Sequence, residues 1–333
     1  MPLEVIYVTR HGFRSGWSVD TLTGVYTGFI RSPTGIPADP ALTSHGVSQS
    51  KEMGKHLMTL DPPIDAVYSS PYYRCLQTIT PFVELKQQQI NDQPGIRGSA
   101  AARIRPEHGI GEFFGAAPFD HPTPAPSKRL KELFPAFDED YSSAITPSRK
   151  GETINDLHGR VAAAVQAIIE RCDAEGHRAV VLCTHAAVVI TLGRILTGRI
   201  PKAVEEEDFH AFTCGLSTYR RRGPGLERTT MLGPNESHPP TSDLSPVGKW
   251  QCEIDSDCGF LTSGEERGWQ VNNTLQSRDK YRISYRLTQN AGNFLAMNRS
   301  QEPARCHKMV LIPSYSAAHT RSVPLYCRVM RAL

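Results

Sequence analysis

The first fourteen residues, Met1-Pro-Leu-Glu-Val-Ile-Tyr-Val-Thr-Arg-His-Gly-Phe-Arg14, constrain this chain more than any other stretch. Leu3 to Val8 is short, apolar and β-branched, the pattern of a buried strand. It runs directly into Thr9-Arg10-His11-Gly12-Phe13-Arg14. A core strand that ends in two arginines and a histidine, with a glycine to bend the backbone, puts charge where burial is costly. Two guanidiniums beside an imidazole are well suited to holding a phosphate.

Elements that could complete such a site recur down the chain. Residues 15–40 are rich in Gly, Pro, Ser, Thr and Asp and read as a loop leaving the motif. A helix is expected from Leu42-Thr43-Ser44, with Thr43 or Ser44 as N-cap and Asp61-Pro62-Pro63 as its stop. Ala66–Ser69 reads as a second strand, turning at Ser70-Pro71 into a helix over about 72–85 that carries Arg74 in its first turn. Residues 86–102 are polar and Gln-rich and read as an inserted loop. Residues 103–105 form a candidate strand before the glycine-bracketed turn Glu107-His-Gly-Ile-Gly-Glu112, and four prolines in 116–128 predict an irregular excursion. Gly151-Glu152-Thr153 opens a helix over about 154–174. Ala179–Thr184 is the strongest buried strand; His185 follows it, and 186–197 reads as the helix behind. Weaker strands are expected near 214–219 and 229–232.

This order predicts a three-layer α/β/α fold with a mostly parallel sheet. Ligands of such sheets sit beyond the carboxyl ends of the strands. That rule gathers Arg10–Arg14, Arg74 and His185 at one edge, since each follows directly after a strand. The predicted organisation is a main domain over residues 1–232, a Pro/Ser-rich linker over 233–247, an appendage over 248–271 with too few apolar residues for its own core, and an unassigned tail over 272–333.

Net charge is +3, but its distribution is uneven. From Gln270 to Leu333 there are ten Lys/Arg and two Asp/Glu, a net of +8, which leaves −5 for the first 269 residues. An acidic core disfavours direct nucleic-acid binding by that core. No apolar run approaches the ~18 residues of a membrane span, and no basic segment followed by an apolar one opens the chain, so no secretory leader is expected. None of the eight cysteines forms a CxxC pair, so free thiols are expected. No GxxxxGK[ST] occurs, and Gly109-x-Gly111-x-x-x-Gly115 lacks dinucleotide-binding spacing.

Phosphoryl transfer needs a nucleophile, positive donors for three equatorial oxygens and an acid for the leaving oxygen. His11 can be the nucleophile if one ring nitrogen is pinned. Arg10, Arg14 and Arg74 supply bidentate donors, and His185 adds another as imidazolium. Glu112 is the expected acid and later base, with Glu107 as the alternative. No cofactor or metal is called for, since arginines neutralise the charge. Alone, each residue has a plainer reading: His185 as a hydrogen-bonded core histidine, Arg74 and Glu112 as surface charges. Three such residues directly after three strands make a specific conjunction.

These landmarks resemble the histidine phosphatase superfamily, the phosphoglycerate-mutase-like and acid-phosphatase group. Thr9-Arg10-His11-Gly12 is similar to its signature. Leu42-Thr43-x-x-Gly46-x-x-Gln49, Ser69-Ser70-Pro71-x-x-Arg74-Cys75, Gly151-Glu152-Thr153 and Thr184-His185-Ala186-Ala187 are similar to later landmarks, over about residues 3–232. The resemblance implies a phosphoglycerate-mutase-like fold and metal-independent phosphomonoester hydrolysis through a phosphohistidine on His11. It places Arg10, His11, Arg74 and His185 in the phosphate pocket. Arg14, two positions after Gly12, departs from the asparagine of the mutase branch and points to the phosphatases. The substrate class stays open among phosphotyrosine, nucleotides and small phosphoesters.

His11–Trp17, Leu22-Thr23-Gly24, Gly109–Phe113 and especially Phe260-Leu-Thr-Ser-Gly-Glu-Glu-Arg-Gly-Trp269 further resemble the fungal tau subunits of transcription factor IIIC. That resemblance implies other subunits of this RNA polymerase III factor as partners and a nuclear location, a cytoplasmic one being compatible too. Two function classes follow: an active phosphatase, or a catalytically silent assembly subunit that keeps the fold.

Overall fold

In the computed structural model, described here for residues 2–92, 99–201, 206–223, 246–271 and 285–288, the chain is built on a six-stranded mixed sheet. Its strands are β1 (Val5–Arg10), β4 (Ala66–Ser69), β5 (Arg105–Pro106), β6 (Ala179–Thr184), β7 (Leu216–Arg221) and β8 (Trp250–Asp257). Their order is β5-β4-β6-β1-β7-β8. Pairings β5–β4, β4–β6 and β6–β1 are parallel; β7 runs antiparallel to β1 and to β8. Two small antiparallel pairs lie apart from it, β2 (Trp17–Val19) with β3 (Tyr26–Gly28), and β9 (Gly268–Val271) with β10 (Tyr285–Thr288).

β1 is buried along its whole length, and its alternate side chains enter two separate cores. Ile6 and Val8 join Val180 and Leu182 against α4 (Ile154–Glu175) and α5 (Ala186–Thr197). Val5 and Tyr7 join Val181 and Cys183 against α1 (Ser44–Leu57) and α2 (Tyr73–Asp92). Helices on both faces explain why β1 and β6 read as continuous apolar runs. None of the helices among the described residues is long and apolar enough to cross a membrane.

Local chemistry sets the helix starts. The Thr43 side chain accepts from the Gly46 amide, and Thr153 forms a capping box with Asp156. Several boundaries differ from the sequence pattern. β1 continues through Arg10, because pairing with Thr184 carries the ladder past the apolar run. α1 ends at Leu57, before the prolines, as the Met58 amide turns back onto Lys55 and His56 carbonyls. α2 extends to Asp92, through the Gln-rich residues expected to be a loop; straight-chain polar residues are good helix formers, and Lys86 buries its stem. A short helix, α3 (Ser127–Leu133), begins where the proline-rich excursion ends. The strand expected near 229–232 and residues 233–245 of the linker expected over 233–247 lie outside the described residues.

β8, drawn from the segment read as an appendage, is an integral edge of the main sheet. It pairs with β7 from Arg221↔Trp250 to Leu216↔Asp257, and Trp250 is buried among α4 and α5 residues.

Candidate active site

The carboxyl ends of β1, β4 and β6 deliver His11, the Ser70–Arg74 turn and His185 to one place. The backbone of the loop after β1 is held by neighbouring side chains: the Gly12 amide donates to Thr78 Oγ1 at 3.0 Å and the Phe13 amide to Gln49 Oε1 at 3.0 Å. Gly46 permits this closeness, since a Cβ there would lie 2.0 Å from the Phe13 carbonyl oxygen.

His11 is buried, and its Nδ1 donates to its own loop, to the Gly12 carbonyl at 2.8 Å. A carbonyl can only accept, so the proton is on Nδ1 and the lone pair is on Nε2. Burial, then the charges of Arg74, Arg10, His185 and Arg14, hold the His11 pKa well below 6.5, so the ring is neutral. His185 lies edge-on to it, with ring centroids 5.4 Å apart. The His185 Nε2 faces Ser70 Oγ at 2.8 Å, and its Nδ1 faces Glu112 Oε2 at 3.2 Å. Burial works against its charge, but Cys75 and Glu112 outweigh it and raise the pKa above 6.5.

Three arginines surround the pair. Arg74 is fully buried between two carboxylates, 3.3 Å from Asp39 Oδ1 and 2.7 Å from Glu112 Oε2, and lies over the Tyr72 ring. Arg10 spends Nη1 on the carbonyls of Ala211 (2.7 Å) and Arg267 (2.5 Å). Arg14 anchors Nη1 on the Ser15 carbonyl and faces the Trp17 ring. Burial and mutual repulsion lower the Arg10 pKa to about 10 and that of Arg14 to about 9, still cationic at neutral pH. All three keep a buried Nε–H with no hydrogen-bond partner among the described residues. Buried unpaired donors are costly, and an anion is the partner such donors suit.

Glu112 is the carboxylate inside this cluster. Burial alone would raise its pKa; His185, Arg74 and Arg14 reverse this and hold it well below 4.5. Glu107 sits elsewhere in its loop's own hydrogen bonding, with its two oxygens accepting from the Gly109 and Ala144 amides, Tyr141 Oη and Ser143 Oγ. His11, Glu112 and His185 bring ligand-type atoms within 4.8 Å of one another. The surrounding guanidiniums nevertheless make this a centre for an anion rather than a cation.

Sequence reasoning missed Asp39, which also accepts from the Tyr73 amide at 2.8 Å; its loop carries no signal beyond an Asp-Pro turn. It also missed the wall beside Arg14 and Arg74, where Trp17, Tyr26, Phe114 and His121 pack together. The rings of Phe114 and His121 stack at 4.9 Å, and Tyr26 Oη meets His121 Nδ1 at 2.5 Å.

A family model described as histidine phosphatase superfamily (branch 1) matches residues 6–231, about two thirds of the chain. The chain belongs to the histidine phosphatase superfamily. Among its relatives, the transcription factor tau 55 kDa subunit of Saccharomyces cerevisiae is 31% identical over 283 residues, spanning 82% of this chain and 59% of that protein. The ecdysteroid-phosphate phosphatase of Drosophila melanogaster is 27% identical over 271 residues, spanning 74% of this chain and 34% of that protein. The chain therefore spans about three fifths and one third of these relatives' lengths. A crystal structure of the ecdysone phosphate phosphatase from Bombix mori is similar at 20% identity and a TM-score of 0.45, over 65% of this chain and 89% of that one. The matched span begins within β1 and so takes in Arg10 and His11.

Proposed function

We propose that the chain hydrolyses phosphomonoesters through a phosphohistidine on His11. The observation that supports this most is the trio of buried Nε–H groups on Arg10, Arg14 and Arg74, without partners among the described residues, around a neutral imidazole. A phosphate dianion entering here takes over Arg74 and His185 from Glu112. Its charge then favours the protonated form of that carboxyl group. His11 Nε2 attacks phosphorus, the ester P–O bond breaks, and Glu112 gives its proton to the leaving oxygen. Glu112 next takes a proton from water, whose oxygen attacks phosphorus. The P–N bond breaks, and inorganic phosphate leaves. His185 and the arginines carry the charge of both transition states. The aromatic wall favours aryl esters, a phosphotyrosine side chain among them.

The test is phosphate release from para-nitrophenyl phosphate in EDTA. Wild type turns over, and His11→Ala loses at least about 1,000-fold. Activity persisting in that variant removes the nucleophile.

The similarity to the yeast tau 55 kDa subunit supports a second, compatible reading: a nuclear subunit of the transcription factor IIIC assembly. Affinity purification from a fungal nuclear extract should recover the other factor subunits; recovery of none counts against it.

A further inference from the structure

We propose that the strap Leu261–Arg267, beyond the family-model match, positions Arg10 for phosphate through the backbone carbonyl of Arg267. This rests on the phosphate-site reading above and deepens it. The strap touches the nucleophile loop repeatedly. The Arg267 carbonyl accepts from Arg10 Nη1 at 2.5 Å. The Arg267 guanidinium covers the Phe13 ring at 3.5 Å, and its Nη1 reaches the Arg14 carbonyl. Glu266 Oε2 meets Gln49 Nε2 at 2.8 Å and His45 Nε2 at 2.6 Å. Gln49 is the side chain whose Oε1 holds the Phe13 amide. The Thr262 amide donates to Glu52 of α1, and the Thr213 amide to the Glu266 carbonyl.

The backbone here is strained for this purpose. Arg267 has φ +51, Cys214 φ +55 and Ser256 φ +53, each unfavourable for a side-chain-bearing residue. Cys214 donates to the Arg10 carbonyl, and Ser256 Oγ accepts from the Phe212 amide. Arg267 and Cys214 contact Arg10 directly, while Ser256 holds the amide of Phe212, the residue after the Ala211 whose carbonyl Arg10 also reaches; the left-handed turn at Arg267 presents its carbonyl to that guanidinium. With Nη1 fixed by two carbonyls, the rest of the fork keeps one orientation and its Nε–H stays unpaired. A residue well over two hundred positions from the signature thus acts as a positioning residue for it.

The experiment uses the full chain, with inorganic phosphate binding by calorimetry and KM and kcat on para-nitrophenyl phosphate. Arg267→Gly loses the side-chain contacts but keeps the carbonyl, so it weakens phosphate binding less than Arg267→Pro does. Arg267→Pro cannot adopt φ +51, so it weakens phosphate binding by roughly tenfold or more and raises KM more than it lowers kcat. Should that variant not fold, Glu266→Ala, which releases the strap from Gln49 and His45, gives the same loss, and Glu266→Gln, which keeps an acceptor, restores it. Phe260→Ala, which removes a stack on His56, lowers the melting temperature without changing phosphate affinity. Unchanged affinity in the folded Pro or Ala variant, or equal weakening by Phe260→Ala, overturns the proposal. Wild type that binds phosphate without turnover defeats only the hydrolysis reading; wild type that binds none defeats both.

Discussion

His11 Nδ1 lies 2.8 Å from the carbonyl oxygen of Gly12, the residue that follows it. That single contact fixes the tautomer, because the loop's own backbone accepts the only ring proton and Nε2 is left with its lone pair. Among the described residues Nε2 makes no hydrogen bond. Burial first, and then the surrounding cations, keep the ring neutral, so the charges that would hold a phosphate also help keep the proposed nucleophile unprotonated.

Glu112 pairs with Arg74 and His185, so it would compete with a phosphate for them as well as serve as the proposed acid. Glu112→Gln is expected to split the kinetic constants. Affinity for inorganic phosphate rises severalfold, while kcat on alkyl phosphates falls by about 100-fold. Aryl phosphates, with better leaving groups, lose less. Equal losses on both ester classes would remove the acid role.

The two imidazoles should titrate in opposite directions. His185 is shifted up, so its charged form outlasts pH 6.5 and disappears as pH rises through its folded value; the stability it contributes is present below 6.5 and lost along that rise. His11 is shifted down and stays neutral as pH falls through 6.5. NMR titration of ring protons, assigned with single His→Ala variants, checks both directions. Glu112→Gln should lower the His185 midpoint. A His11 midpoint at or above that of His185 would contradict the assignment.

Asp39 meets Arg74 at Nη1 while Glu112 meets it at Nη2, and the Asp39 and Arg74 side chains are fully buried. Asp39→Ala leaves a buried guanidinium short of a counter-charge and should cost about 3 kcal/mol in denaturant unfolding. It should also weaken phosphate binding about tenfold. Full retention of both would show that Glu112 alone orients Arg74.

Gly46→Ala should disturb the nucleophile loop from outside it. The added methyl group would meet the Phe13 carbonyl at 2.0 Å, so the loop or α1 must shift. A loss of about 2–3 kcal/mol is expected, with kcat falling because Phe13 follows the nucleophile's glycine. Thermal unfolding together with steady-state kinetics measures both.

The strand ends were legible because β1, β4 and β6 announce themselves by local apolar runs, and ligands collect where parallel strands end. His11, Arg74 and His185 therefore came together from pattern alone. α2 was read seven residues short, since Gln-rich polarity resembles a loop when one face of a helix is exposed. Asp39, the Trp17–Tyr26–Phe114–His121 wall and the Arg267 carbonyl left no local trace. Each acts through contacts between loops distant in sequence, and a backbone carbonyl carries no residue signature at all. Edge strand β8 was invisible for a related reason. Its alternation of buried and exposed positions is irregular, its register shifts on both sides of Ile254, opposite Thr218 of β7, and it acquires meaning only beside β7.

The stereochemical course at phosphorus tests the central claim most directly, using an aryl ester made chiral at phosphorus with sulfur and oxygen isotopes. Attack by His11 followed by attack by water is two in-line displacements, each inverting the centre, so the released thiophosphate should show net retention. Net inversion would mean that water attacks the ester directly and that His11 is no nucleophile.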